Sequence, residues 1–96
     1  MDEQVIRRHA DAHAEAVVKG DTEALVQDFA EELRPQLRTL AQALPQPVRS
    51  ATVLSVDASG DPAIVHIKYL GDDKEVTIRS EWVGSERPVI AAAAPV

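Results

Sequence analysis

Residues 63–83 read AIVHIKYL, then GDDK, then EVTIRSEWV, and this stretch decides the fold. The outer parts alternate at period two and are rich in β-branched residues. The middle holds Gly71 and three polar residues, the composition of a hairpin loop. If residues 71–74 form that loop, Leu70 faces Glu75, and the same register pairs Tyr69 with Val76, Ile67 with Ile78, Val65 with Ser80 and Ala63 with Trp82. One face of the hairpin is then almost wholly apolar. The other carries Ile64, His66, Lys68, Leu70, Glu75, Thr77, Arg79 and Glu81. An antiparallel sheet with one apolar face needs a covering layer.

Working outward, turn clusters at residues 57–62 and 84–87 bound two further extended segments. The period and composition predict four strands, at about 48–57, 63–70, 75–83 and 88–94, joined as a meander. Folding Val83 onto Pro88 places Val89, Ala91 and Ala93 on the inner face and Ile90 and Ala92 on the reverse. The cover comes from the N-terminal half. Wound at 100° per residue, Val5, Ile6, His9, Ala12, His13, Ala16 and Val17 form one stripe, opposite Arg7, Arg8, Asp11, Glu15 and Lys19. Gly20 is a left-handed C-cap and Asp21 an N-cap, so a second helix is expected over 22–33, with Leu25, Val26, Phe29, Ala30 and Leu33 on its apolar face. Its acidic residues, Asp28 among them, fall on the opposite, solvated face. Pro35 restarts the chain into a third helix over 36–44, striped by Leu37, Leu40, Ala41 and Leu44. Pro45-Gln46-Pro47 ends all helix. The expected class is therefore α+β: two to three N-terminal helices packed on a curved four-stranded antiparallel meander, one domain over residues 1–96.

Composition narrows the function classes. Fifteen alanines and only Phe29, Tyr69 and Trp82 as aromatics leave a core of small side chains. A net charge of −6 repels phosphate backbones and anionic headgroups, so neither nucleic acid nor a membrane surface is an expected partner. The absence of cysteine excludes disulfides, thiolate catalysis and Cys-based metal sites. The start, Met-Asp-Glu followed by Arg7 and Arg8, lacks the apolar segment of a secretory signal, and the cytoplasm is the expected compartment. The four glycines stand singly in turns, which gives no phosphate loop, and no serine sits in a nucleophile elbow.

The most informative constellation is His9 and His13, one helical turn apart within the apolar stripe and aimed at the sheet. Two imidazoles alone do not make a zinc site. The remaining histidine, His66, falls on the opposite sheet face, and the expected inner face carries no Asp or Glu, so neither a metal nor any other cofactor is expected. One histidine could instead line a pocket as a general base or donor, with Tyr69, Ser80 and the Trp82 indole as polar partners and Ala63, Ala91 and Ala93 leaving room for a ligand. The bland alternative is two half-buried helix histidines and a tryptophan that merely fills the core. The candidate ligand-binding set is His9, His13, Tyr69, Ser80, Trp82 and Ala91, with His9, His13 and Tyr69 the only candidates for catalysis. On the reverse face, Ile64 and Ile90 interleave with His66, Lys68, Arg79 and Glu81. That mixture fits a homodimer interface or a solvated sheet with scattered aliphatics.

Helix, Lys19-Gly20-Asp21-Thr22-Glu23-Ala24-Leu25 with Phe29-Ala30 after the first helix, then a meander bearing Arg79-Ser80-Glu81-Trp82, Arg87-Pro88-Val89-Ile90 and Ala94-Pro95, resembles the nuclear transport factor 2-like superfamily. SnoaL-like polyketide cyclases and ketosteroid isomerases are its enzymatic members. The resemblance covers nearly the whole chain and implies a cystatin-like, cone-shaped α+β fold, a cavity between the first helix and the sheet, and dimerisation through the sheet. It transfers no catalytic residue, because the expected inner face lacks the isomerase carboxylate and the Asp-Arg-Asp set of the epoxide hydrolases. The expected function is a homodimeric module that binds an apolar small molecule or a protein. Two rivals remain: a cyclase, isomerase or dehydratase using a pocket histidine, and an immunity or regulatory protein docking through Glu23, Asp28, Glu31, Glu32 and Asp72-Asp73.

Overall fold

Two antiparallel β ladders meet on the strand Ala63–Leu70, and the one it forms with Glu75–Val83 matches the pairing expected of the hairpin residue for residue. The structure, a computed structural model, describes residues 2–96. Its strands are β1 (Ser50–Asp57), β2 (Ala63–Leu70), β3 (Glu75–Val83) and β4 (Val89–Pro95), in sheet order β1-β2-β3-β4. Leu70 pairs with Glu75, Ile67 with Ile78, Val65 with Ser80 and Ala63 with Trp82. Ala63, Val65, Ile67 and Tyr69 are all buried on one face, as a half-covered sheet requires. The fold is α+β, with the helices packed on that face.

Helix α1 (Glu3–Lys19) begins at Asp2, whose carboxylate accepts from the amides of Gln4 and Val5, and ends at Gly20 with φ of 71°. Only glycine adopts that left-handed conformation without steric cost. The buried side of α1 consists of Ile6, Ala10, His13, Ala14 and Ala16. It is rotated from the expected stripe: Ala12 is exposed and His9 only half-buried, while Ala10 and Ala14 face inward. Small residues at positions 10 and 14 let the helix axis approach the sheet closely. Close approach favours the Ala10–Ala14 side over the bulkier His9 side.

Helix α2 (Thr22–Asp28) is capped by the Asp21 carboxylate on the Ala24 amide. It stops five residues short of the expected end, because Phe29 turns extended (φ −101°, ψ 142°) and forms a parallel bridge to Ile90. The Ala30 amide donates to the Ile90 carbonyl at 2.8 Å. A non-local strand contact thus outcompetes continuation of the helix. A short 3-10 helix, Glu31–Gln36, carries the chain through Pro35 into α3 (Leu37–Gln42).

The last strand departs from the expected register. Val83 pairs with Val89 and Trp82 with Ile90, but Glu81 pairs with Ala92, so Ala91 is an extra residue in a β-bulge. The shift reverses the facing of both residues read from the pattern. Ile90, expected on the reverse face, is fully buried against Trp82, and Ala91, expected inside, is exposed. A second bulge in β1 leaves Leu54 unpaired and half-exposed. No helix among the described residues is long and apolar enough to cross a membrane.

Candidate functional site

The helices do not cover the inner face completely. Between them and the sheet lies a cavity of about 320 Å³. Its floor is Ile67, Tyr69, Ile78, Ser80, Ile90 and Ala93; His13 and Val17 of α1 close one side, and Leu25, Val26 and Phe29 another. Leu37, Leu40, Ala41 and Leu44, the expected apolar stripe of the third helix, form the roof, joined by the exposed Arg38. The roof exists because α3 stands away from the strands, whereas α1 packs closely on β1. The walls are almost entirely aliphatic, with a few polar groups placed among them, the pattern of a small-molecule pocket.

The polar groups have distinct states. His13 is buried, with its side chain 6% exposed, and its Nδ1 donates to Asp28 Oδ2 at 2.9 Å. That bond places the imidazole proton on Nδ1 and leaves Nε2 as the nitrogen available to an occupant. The ring is further held edge-on against Phe29 and Trp82, at centroid separations of 5.5 and 5.9 Å. Asp28 itself is largely buried, with its side chain 18% exposed, behind His13. Tyr69 is the second polar wall group. Burial pushes its hydroxyl well above the usual tyrosine range, and the neighbouring Asp28 charge adds to the rise. It is therefore a neutral O–H donor, and no hydrogen bond among the described residues engages it.

Ser80 also reaches the cavity, but its hydroxyl is already committed. Oγ donates to the Val65 carbonyl at 3.2 Å and accepts from the Trp82 indole at 3.0 Å. No buried side-chain nitrogen or oxygen among the described residues is left without a partner. Tyr69 Oη and His13 Nε2, which have none, therefore keep contact with open space, and both side chains line the cavity.

Of the six residues expected at a binding site, His13, Tyr69 and Ser80 come together in the cavity wall. The other three do not. His9 is half-buried on the flank of α1, outside the wall and without a hydrogen-bond partner among the described residues. Trp82 lies behind the wall at 0% exposure, where it props His13 and Ser80 rather than meeting an occupant. Ala91 is the exposed bulge residue. Two residues were missed. Asp28 falls on the solvated face of a second helix taken alone and within an acidic docking surface, but α1 packs along α2 and brings His13 to that side. No spacing signal links it to His13, since the two stand on different helices. Arg38 gave no signal either, being an ordinary polar residue beside an apolar stripe.

On the reverse face, Ile64, His66, Lys68, Arg79 and Glu81 do share one surface across β2 and β3, in pairs Ile64–Glu81 and His66–Arg79. Arg79 bonds Glu81 at 2.8 Å, and Ser55 meets His66 Nδ1 at 3.2 Å. Ile90 is not part of this surface. Among the described residues no three histidines or carboxylates gather as a metal site. Comparison with known proteins yields no likeness: no family model, no curated protein and no solved structure matches this chain.

Proposed function

We propose that this protein binds a small, mainly apolar molecule between α1, α3 and the sheet. The observation that carries the reading is the cavity of about 320 Å³, with largely aliphatic walls and, among them, the unengaged polar atoms His13 Nε2 and Tyr69 Oη. A packed core would have closed this space, because an unfilled apolar volume of that size costs stability. The order of helices and strands, the Gly20-Asp21 junction and Trp82 on β3 support the nuclear transport factor 2-like reading of the fold. The test is titration with 2-naphthol, a bicyclic alcohol of suitable size, followed by its fluorescence. Saturable one-to-one binding is expected, and it should vanish in Ala93→Leu, which places a side chain in the cavity. Failure to saturate would refute the reading.

The His13–Asp28 bond favours a second reading, proton transfer. A carboxylate that orients an imidazole leaves Nε2 set as a general base, and the Tyr69 hydroxyl donates to the carbonyl oxygen as the proton leaves, where the imidazolium formed at His13 offsets the Asp28 charge. The atoms balance simply: Nε2 takes a proton from carbon next to a carbonyl and returns it to the enolate. Deuterium exchange into 2-tetralone in deuterium oxide reads this directly. Wild type should exchange faster than His13→Gln, and equal rates would refute catalysis while leaving binding intact.

We also propose self-association through the reverse face, where half-buried Ile64 lies among His66, Lys68, Arg79 and Glu81. Sedimentation equilibrium should give a dimer weakened by Arg79→Glu. A strict monomer at micromolar concentration would remove the proposal.

A further inference from the structure

We infer that the natural occupant of the cavity is an amphipathic carboxylic acid, with its carboxylate at the mouth beside Arg38 and a neutral hydroxyl or carbonyl oxygen at the His13–Tyr69 wall. The inference rests on the binding function proposed above and adds the chemistry of the ligand. Three observations support it.

The first is size. The cavity has about twice the roughly 150 Å³ that holds a benzene ring, so its occupant has an apolar body of about a dozen non-hydrogen atoms, the bulk of two fused rings.

The second is the charge along the wall. The inner end is electronegative, because Asp28 stands directly behind His13 and acts on the Tyr69 hydroxyl. An anion would be repelled there, whereas a neutral oxygen finds a donor in Tyr69 and a second partner in His13 Nε2. The mouth is the reverse. Arg38 is the only wall residue with a permanent charge, and no wall residue is acidic. The α3 sequence, LRTLAQ, contains no carboxylate. No ion pair or hydrogen bond among the described residues engages the Arg38 guanidinium; Arg7, Arg8, Arg34, Lys68, Lys74 and Arg87 share that state, but of these basic residues only Arg38 lines the cavity.

The third is geometry. Arg38 lies one position after Leu37 and two before Leu40, both of them roof residues, so a carboxylate held by the guanidinium leaves the attached apolar body under the aliphatic roof. Arginine suits this role, since its planar fork matches a carboxylate.

The rival account is that Arg38 merely lays its aliphatic stem along the apolar wall and keeps its head in water. Three probes on one ring system separate the two: 2-naphthol, 2-naphthoate and 6-hydroxy-2-naphthoate, titrated by fluorescence at neutral pH. The wild type should bind 6-hydroxy-2-naphthoate about threefold to fivefold more tightly than 2-naphthol, the range open to a solvent-facing ion pair, and high salt should shrink the difference. Arg38→Gln should abolish that preference, read as the ratio of the two dissociation constants measured in the same variant, while Arg38→Lys keeps part of it. Tyr69→Phe should weaken both hydroxylated probes and spare 2-naphthoate. If 6-hydroxy-2-naphthoate binds no tighter than 2-naphthol, or if Arg38→Gln leaves the ratio unaltered, the ligand is not a carboxylate and this inference fails while cavity binding stands. If 2-naphthol does not bind at all, the cavity reading fails with it.

Discussion

Ser80→Ala should be among the most costly single-atom changes in this chain, and the structure says why. The Ser80 hydroxyl stands between two buried partners, accepting from Trp82 Nε1 at 3.0 Å and donating to the Val65 carbonyl at 3.2 Å. Trp82 and Val65 are both 0% exposed. Removing the oxygen leaves the indole N–H buried with no acceptor, and an orphaned buried donor costs about 1–3 kcal/mol, more than a typical hydrogen bond contributes in net terms. With a central value of about 2 kcal/mol, and roughly 4–8 °C of melting temperature per kcal/mol for a domain this small, the midpoint should fall by about 8–16 °C. The same argument predicts non-additivity. In Ser80→Ala/Trp82→Phe both polar partners are gone, so the double variant should be more stable than the sum of the single losses implies, by about 1 kcal/mol. Urea unfolding followed by circular dichroism measures all four corners of the cycle without relying on tryptophan emission. A Ser80→Ala loss below about 0.5 kcal/mol, or strict additivity, would mean that the indole reaches water, and would refute the sealed Trp82–Ser80 pair.

Three further outcomes follow from single residues. Because Tyr69 has a raised pKa in the folded state, the folded protein keeps a proton that the unfolded chain releases; stability should be full below about pH 10 and decline above it, by up to about 1.4 kcal/mol per pH unit, and Tyr69→Phe should flatten that alkaline limb in pH-dependent urea melts. Gly71→Ala would set a Cβ 2.5 Å from the Pro45 Cβ and 3.2 Å from the Pro47 carbonyl, so this hairpin position should lose about 1–3 kcal/mol despite lying in a turn. The other two alanine replacements should differ in sign: Gly20→Ala forces an L-residue to φ of 71° at a cost of about 1–2 kcal/mol, whereas Gly60→Ala, with open space and no positive φ, should be neutral or stabilising by up to about 1 kcal/mol. Thermal melts of the four proteins decide these together.

The parts of the fold legible in the sequence are those whose cause is local. Alternation at period two and a four-residue turn specify the β2–β3 register, because a slip by one residue would turn Tyr69, Ile67 and Val65 out to solvent. Gly20 and Asp21 mark the α1–α2 junction because a left-handed cap and an N-cap are single-residue properties. The apolar spacing of Leu37, Leu40, Ala41 and Leu44 is legible too, although α3 ends at Gln42 rather than at residue 44, and these residues form the roof of the cavity. Half of the candidate site was legible for the same reason: His13, Tyr69 and Ser80 follow from facing alone.

The remainder depends on contacts between elements distant in sequence. The end of α2 is decided by Phe29 and Ala30 joining Ile90, and Ile90 is turned inward by one extra residue, Ala91, opposite Trp82. Neither event has a period, since a bulge is a break in periodicity and a bridge belongs to two segments at once. The His13–Asp28 pair is of the same kind, because it joins α1 to α2 and no spacing within either helix encodes it. The sequence by itself therefore determined the elements, the hairpin register and the apolar face to be covered. Only the tertiary structure decided where α2 ends, which way Ile90 faces, and how much of that face stays open, because those outcomes depend on packing between elements that no local pattern encodes.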